Sequence, residues 1–113
     1  MSETLFSKII DREIAADIVY EDDLCLAIRD INPQAPVHIL VIPKKPIAMM
    51  TDATGQDQSL IGHLFLTANR IAAEQGIADA FRLIVNNGER AGQSVFHLHI
   101  HILGGRSFSW PPG

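Results

Sequence analysis

Apolar and polar residues alternate strictly near the C-terminal end of the given sequence, over residues 96–102. Successive side chains of an extended strand point to opposite faces, so this alternation predicts a strand with two unlike sides. One side carries the apolar residues Phe96, Leu98, Ile100 and Ile102, and the other carries His97, His99 and His101. The pattern therefore predicts a strand that is anchored on one face and presents three imidazoles on the other.

The remaining elements follow from two other hydrophobic patterns. Apolar residues at helical spacing predict a short amphipathic helix over residues 5–10 and a long helix over about 57–75, which ends before Gly76. Apolar runs bounded by turn residues predict four more strands, over residues 17–21, 24–30, 37–43 and 81–86.

This order of elements predicts a single α+β domain over residues 1–113, with a largely antiparallel five-stranded sheet. The helices are expected on one side of the sheet and the histidines on the other. On the third strand, His38 shares a face with Leu40, so His38 would lie beside the histidine triplet if the two strands are neighbours.

Composition narrows the classes of function. The net charge of -4 argues against binding to nucleic acid or acidic membranes, which needs clustered Lys and Arg. No apolar stretch reaches the length of a membrane span. The single Cys25 cannot form an internal disulfide, and the chain does not open with a secretory leader pattern, so a cytoplasmic setting is expected.

Three interpretations compete for the histidine triplet. A His-x-His pair on a strand can bind zinc, but the chain has no HExxH motif, no paired Cys and no obvious carboxylate cluster to complete a site. The histidines could instead be ordinary polar residues of a half-buried strand. The third interpretation is nucleophilic catalysis, in which an imidazole attacks an electrophile and forms a covalent intermediate.

The flanking residues fit the third interpretation. Gly92, Gln93 and Ser94 lie just upstream and can turn backbone N–H groups and a hydroxyl toward an anion. A backbone carbonyl can hold one nitrogen of the attacking ring, which leaves the other nitrogen free to react. A phosphate is the natural guest of such a site.

These residues resemble the histidine triad (HIT) superfamily, whose signature is His-φ-His-φ-His-φ-φ with φ apolar, met here by residues 97–103. The chain is similar more narrowly to the Hint branch. That similarity rests on the segments 30–36, 40–45, 85–86, 92–94, 103–106 and 110–113 together with His38. The resemblance implies a HIT-like fold with one long and one short helix, and a homodimer in which the sheet continues into the partner and the tail at 107–113 approaches the partner's site.

The resemblance also implies an activity, that of a purine nucleoside phosphoramidase. Such an enzyme cleaves the phosphorus–nitrogen bond of AMP or GMP phosphoramidates, including nucleotidyl-lysine and aminoacyl-adenylate-like compounds, without a metal or other cofactor. His99 would attack the α-phosphorus and become a nucleotidyl-imidazole that water hydrolyses. Two alternatives stay open: a nucleotide-binding regulatory module with incidental catalysis, and a dinucleoside polyphosphate hydrolase of the same superfamily.

The remaining site residues carry over from the resemblance by role. His101 and Ser94 would contact the phosphate and the leaving group, while His97 and His38 support the histidine network. The resemblance assigns the phosphate to Asn86 and the amides near Gly92, Gln93 and Ser94, the ribose to Asp30, and the purine to Phe6, Ile9, Ile14, Ile31 and Leu40. The sequence departs from the family pattern at Pro46 and at Ala91, where a His and a second Gly are common, and Ala91 would alter the loop if it needed a positive φ.

Overall fold

A computed structural model describes residues 3–113, so the first two residues of the predicted domain lie outside the described part. The helices are α1 (Leu5–Ile10) and α2 (Gln58–Glu74), and the strands are β1 (Ile18–Glu21), β2 (Cys25–Arg29), β3 (Val37–Pro43), β4 (Phe81–Ile84) and β5 (Ile100–Gly104). All five strands pair antiparallel in the order β1-β2-β3-β5-β4. The predicted α+β fold class and five-stranded antiparallel sheet are confirmed.

The long helix α2 covers one face of the sheet. It ends where Gly76 adopts a positive φ of 74°, a conformation that glycine reaches without strain. The main core lies between this helix and the sheet, and its buried members are Cys25, Ala27, Ile39, Val41, Ile47, Leu64, Ala68, Ile71, Ala72, Ile77, Leu98, Ile100 and Ile102. Within residues 3–113, neither helix is both long and apolar enough to cross a membrane.

The short helix α1 packs on the opposite face, so the expectation that both helices share one side is wrong. A capping box between Thr4 and Ser7 starts this helix. Its two buried residues join a second core with strand residues of the other face; the members are Phe6, Ile9, Leu26, Ile28, Leu40 and Ile42. Six residues cannot cover a whole sheet face, and the uncovered part of that face is where the histidines lie.

The strand predicted over residues 96–103 begins only at Ile100. In the observed register Val41 lies opposite Ile100, so the next pairs would bring Pro43 opposite Leu98. Proline has no N–H to donate to a ladder, and pairing ends before it. Phe96 is 42% exposed and does not anchor the segment, although Leu98 and Ile100 are buried as expected.

Candidate active site

Strands β3 and β5 are neighbours, and this pairing brings His38 to the histidine triplet as expected. Leu40 lies opposite His101, and His38 lies opposite Leu103. The Nε2 atom of His38 is 2.9 Å from Nδ1 of His101. Two histidines that are 63 residues apart in the chain therefore form one hydrogen-bonded pair.

Backbone contacts determine which nitrogen of this pair carries the proton. The N–H of Gln34 donates to Nδ1 of His38 at 3.0 Å, so the proton of a neutral His38 ring lies on Nε2. That Nε2–H donates to Nδ1 of His101, so the proton of a neutral His101 lies on its own Nε2. Oδ2 of Asp30, 3.4 Å from Nε2 of His38, favours the same arrangement.

The middle histidine has the opposite arrangement. Nδ1 of His99 lies 2.7 Å from the carbonyl oxygen of His97 and donates its proton to it, which leaves Nε2 unprotonated in the neutral ring. His97 donates from its own Nε2 to the carbonyl of Pro43 at 2.7 Å. The edge of Phe6 packs on the ring of His99, with the ring centroids 4.8 Å apart.

The four histidines of the site, His38, His97, His99 and His101, are neutral near pH 7. Burial lowers the pKa of His38, His97 and His99, because a charged imidazolium is poorly solvated there. Burial, followed by repulsion from His99 and His38, lowers the pKa of His101 to about 4. At neutral pH His99 is therefore a base with an available lone pair, and His101 is a neutral N–H donor.

A cavity of about 290 Å³ opens beside these rings. Nine of the predicted site residues line it, namely Phe6, Ile9, Ile14, Asp30, Ile31, Leu40, Ser94, His99 and His101. His38 and His97 are buried and do not line it. The lining combines apolar side chains, several of them from α1 and β2, with the polar side chains of Asp30, Ser94, His99 and His101.

The loop before the triplet is arranged differently from expectation. The N–H groups of Gly92 and Gln93 donate to the carbonyls of Glu89 and Gly88, so they are not free to bind a phosphate in this conformation. The side chain of Gln93 is buried, accepts from the Gly88 N–H and donates to two backbone carbonyls. Gly92 and Gln93 therefore build the loop. This corrects the expectation that their N–H groups donate to a phosphate, because both groups already donate to carbonyls of the loop in this conformation.

Two other residues near this loop, Asn86 and Ser94, remain available to contact a phosphate. Asn86 lies beside Gly92, where an added Cβ would be 3.7 Å from the Asn86 amide nitrogen. Ser94 is exposed at the cavity, and its N–H has no acceptor within residues 3–113. The departure at Ala91 has no conformational consequence, because Gly92 takes the left-handed position at φ 99° and Ala91 has no positive φ.

Asp30 combines a turn role with a place in the cavity wall. Its Oδ1 accepts from the N–H of Asn32 at 2.8 Å, as a turn-forming aspartate does. Its Oδ2 faces His38 at 3.4 Å, and the residue lines the cavity. One carboxylate thus holds the turn after β2 and faces the histidine pair.

Two groups of side chains have the composition of metal ligands. Donor atoms of Asp30, His38 and His101 lie within 4.8 Å of one another. The two histidine nitrogens are only 2.9 Å apart, whereas a tetrahedral zinc ion would hold them roughly 3.3 Å apart at Zn–N distances of about 2.0–2.1 Å. This spacing is that of a hydrogen bond.

The second group, Asp22, Cys25 and His63, lies where the β1–β2 turn meets α2. Burial and the nearby Asp22 raise the pKa of Cys25 to about 12, so the thiol keeps its proton. Asp22 accepts hydrogen bonds from Tyr20, His63 and two backbone N–H groups. The group is a hydrogen-bonded connection between the turn and the helix, and sequence reasoning missed the contact to His63.

Sequence reasoning also missed part of the cavity wall. The additional lining residues are Leu5, Ala15, Ala16, Ile28, Arg29 and Val95. Leu5 could have been found from its place on α1 beside Phe6. The others line the cavity because of the way in which α1 and the loop at 11–17 pack on the sheet. No local sequence pattern specifies that packing.

The comparisons with known proteins agree with this geometry. The HIT domain family model matches residues 11–108. A protein of Synechocystis sp. named as an uncharacterized HIT-like protein is 66% identical over 111 residues, covering 98% of this chain and 97% of that protein. Another uncharacterized HIT-like protein, from Synechococcus elongatus, is 64% identical and covers both chains fully.

Solved structures show the same fold. A HIT family hydrolase from Legionella pneumophila superimposes with a TM-score of 0.96 at 45% identity, over 98% of this chain and 100% of that one. A histidine triad protein from Clostridium difficile superimposes with a TM-score of 0.91 at 42% identity, over 96% and 97% of the two chains. The chain belongs to the HIT domain family. Within that family it is a HIT family hydrolase-like protein.

Proposed function

We propose that this protein is a purine nucleoside phosphoramidase of the Hint branch, which hydrolyses the phosphorus–nitrogen bond of nucleoside 5'-phosphoramidates. The observation that carries the proposal is the hydrogen bond from Nδ1 of His99 to the carbonyl of His97. It directs the proton of the ring to Nδ1 and leaves Nε2 of a cavity-lining histidine as a nucleophile.

The reaction proceeds in two displacements at phosphorus. Nε2 of His99 attacks the α-phosphorus and forms an N–P bond, while the P–N bond of the substrate breaks and its electron pair leaves with the amine. Water then attacks the nucleotidyl-imidazole, gives its hydroxyl to phosphorus and its proton to His101, and releases AMP or GMP with His99 restored. Splitting one displacement into two steps is the general advantage of a covalent nucleophile.

The departing amine needs a proton, and His101 is the side chain suited to supply it. Its Nε2–H is the donor that the contact from His38 leaves available. In the free protein His101 is neutral at neutral pH, because its pKa is lowered to about 4. His101 therefore acts as a neutral N–H donor that passes its Nε2 proton to the departing nitrogen and regains a proton from the water of the second step.

The mixed apolar and polar lining of the cavity supports a nucleoside monophosphate as substrate. The apolar residues Phe6, Ile9 and Ile14 suit a purine ring, and Asp30 suits the ribose hydroxyls. Ser94 and His101 offer neutral donors for the phosphate oxygens. A volume of about 290 Å³ is at the small end of ligand pockets, which run from about 300 to 1,000 Å³.

The charge of the cavity favours a phosphoramidate over a dinucleoside polyphosphate. Arg29 is the one cationic side chain among the described lining residues, and its Nε lies 3.3 Å from Oδ2 of Asp17. A polyphosphate carries several negative charges close together and needs several cations near them. A nucleoside 5'-phosphoramidate carries one charge, which neutral donors can hold.

The test is hydrolysis of adenosine 5'-phosphoramidate in the presence of EDTA. We expect turnover by the wild type, and a loss of at least about a thousandfold in kcat in His99→Ala with AMP binding retained. Stopping the wild-type reaction early should give a protein with one nucleotidyl group attached at His99, detectable by mass spectrometry of its peptides.

The matched control is His63→Gln, which changes a histidine on α2 outside the cavity and should leave kcat unchanged. Full activity in His99→Ala would overturn the assignment of the nucleophile. Loss of wild-type activity in EDTA that zinc restores would favour metal catalysis. AMP binding without turnover would favour the binding-module alternative, and preferential cleavage of diadenosine polyphosphates would favour the related hydrolase.

We propose further that the protein is a cytoplasmic homodimer. The outer strand β4 has an unpaired edge in the described chain, and Trp110 is 82% exposed in a tail held at Ser109 by Arg82. A large exposed aromatic on a held segment suits an interface. The buried free thiol of Cys25 suits a reducing compartment. Light scattering should give twice the chain mass, and a monomer would contradict the proposal.

A further inference from the structure

Arg106 lies in the turn that follows β5 and does not line the cavity, and several groups hold its guanidinium in place. Nε and Nη2 donate to the carbonyl of Gln34 at 3.3 and 3.2 Å, and Nη1 donates to the carbonyl of Ser107 at 3.0 Å. The guanidinium also lies over the ring of Phe108, 4.3 Å from its centroid. A planar group fixed by three hydrogen bonds and a ring has little freedom to move.

Gln34 connects this guanidinium to the histidine pair through its backbone. Its carbonyl accepts from Arg106, and its N–H donates to Nδ1 of His38 at 3.0 Å. The side-chain amide takes no part, because it donates to the carbonyl of Asn32. The exposed loop that holds the Gln34 N–H in place is therefore tied down from the C-terminal side of β5.

The position of that N–H helps to set where both protons of the pair lie. If it moved away, His38 could carry its proton on Nδ1, and its Nε2 would present a lone pair to His101. His101 would then have to carry its proton on Nδ1 to keep the hydrogen bond, and its Nε2 would lose the proton. A His101 with a bare Nε2 has nothing to donate to a leaving amine.

We propose that Arg106 is a positioning residue for the reaction: by holding Gln34, it keeps the proton of His101 on Nε2. The catalytic consequence rests on the proposed phosphoramidase function, whereas the effect on the histidine protons does not. Asp30 also favours a proton on Nε2 of His38, so loss of Arg106 shifts the tautomer population and does not invert it.

Two substitutions separate this role from general anchoring of the tail. Arg106→Ala removes the contact to Gln34. Arg82→Ala is the matched control, because Arg82 lies over the same ring of Phe108 at 5.0 Å and donates to Ser109, but makes no contact with Gln34 among the described residues. Arg106→Lys keeps a charged donor for the Gln34 carbonyl.

The first readout is the nitrogen NMR spectrum of the histidine side chains in substrate-free protein at neutral pH. In the wild type we expect Nδ1 of His38 to be unprotonated and Nε2 of His101 to be protonated. Arg106→Ala should move both toward the opposite tautomer, Arg106→Lys should recover part of that shift, and Arg82→Ala should match the wild type.

The second readout is kcat for adenosine 5'-phosphoramidate, which should fall about threefold to tenfold in Arg106→Ala, a part of the hundredfold or more that a general acid supplies. Unchanged histidine spectra in Arg106→Ala, or equal shifts in the two alanine variants, would overturn the inference. A wild type without phosphoramidase activity would overturn the proposed function instead, and the NMR result would still decide the role of Arg106.

Discussion

Nε2 of His38 lies 2.9 Å from Nδ1 of His101 and, with the Gln34 N–H on its Nδ1, is the donor of the pair. The contact makes His38 a donor to a ring that lines the cavity, although His38 itself is 6% exposed and lines no part of it. A residue with no access to substrate can therefore control the protonation of one that has it.

The first prediction concerns this donor. His38→Leu removes the proton that His101 accepts, and we expect kcat for adenosine 5'-phosphoramidate to fall about tenfold or more, as general-acid catalysis weakens. His38→Gln places an amide N–H near the same point and should retain much more activity. Equal rates in the two variants, with both proteins folded by circular dichroism, would contradict the relay.

A second prediction is the pH dependence of kcat/KM in the free enzyme. His99 must be neutral to attack, and burial lowers its pKa below the usual imidazole value of about 6.5. Activity should therefore stay level as pH falls to that value and decline only in more acidic solution. A decline centred above about 6.5 would mean that His99 is not desolvated as described.

The third prediction concerns stability at the turn before β2. Burial opposes the ionisation of Asp22, but hydrogen bonds from Tyr20, two backbone N–H groups and His63 outweigh it and hold the pKa of Asp22 well below its ordinary value. Asp22→Ala should lower the free energy of unfolding by about 1–3 kcal/mol at neutral pH.

The sign of the pH dependence follows from the direction of that shift. A carboxylate with a lowered pKa stabilises the fold above about pH 4, and the contribution is lost as pH falls toward the folded value. The gap between wild type and Asp22→Ala should therefore narrow in acid. Asp23→Ala, in the same turn but exposed, is the control and should change stability little. A gap that is independent of pH would argue for packing alone.

A fourth prediction concerns the free thiol. Cys25 is fully buried, and its pKa is raised to about 12 by burial and then by Asp22. The thiolate is the reactive form, so an aromatic disulfide reagent should label the native protein only as fast as it unfolds. Denatured protein supplies the control rate. Rapid labelling of folded protein would show that the β1–β2 turn opens locally.

The fifth prediction uses two glycines with opposite surroundings. Gly105 has φ 89°, and an added Cβ would lie 2.8 Å from Cβ of Pro36, so Gly105→Ala should destabilise the protein by about 1–3 kcal/mol. Gly62 lies within α2 with open space around it, so Gly62→Ala should stabilise by about 0.5–1 kcal/mol. Thermal or urea unfolding measures both, and the same sign for the two would contradict this reading of Gly105.

The alternation of apolar and polar residues predicted the faces of the histidine segment well. Leu98, Ile100 and Ile102 do join the core under α2, and the histidines face the other way. The start of the strand was wrong because pairing depends on the partner, and Pro43 on β3 cannot continue the ladder. Local pattern specifies which way a side chain points, and the neighbouring strand specifies where pairing ends.

The sequence predicted the residues that line the site better than the contacts that hold them. Nine of the expected residues meet at one cavity, but Gly92 and Gln93 use their N–H groups inside the loop. The contacts that fix the protons, from Gln34 to His38 and from Arg106 to Gln34, join segments distant in sequence and involve backbone atoms that every residue type has. No pattern of residue types in the sequence predicts these contacts.

The 63-residue separation between His38 and His101 has a consequence for how the protein is made. During synthesis, β1, β2 and β3 leave the ribosome long before β5, which pairs with β3 and β4 in the finished sheet. Contacts between distant segments form slowly, since the intervening loop must close first. A nascent chain therefore holds no paired histidines until β5 has emerged, and the site is complete only when β5 enters the sheet between β3 and β4.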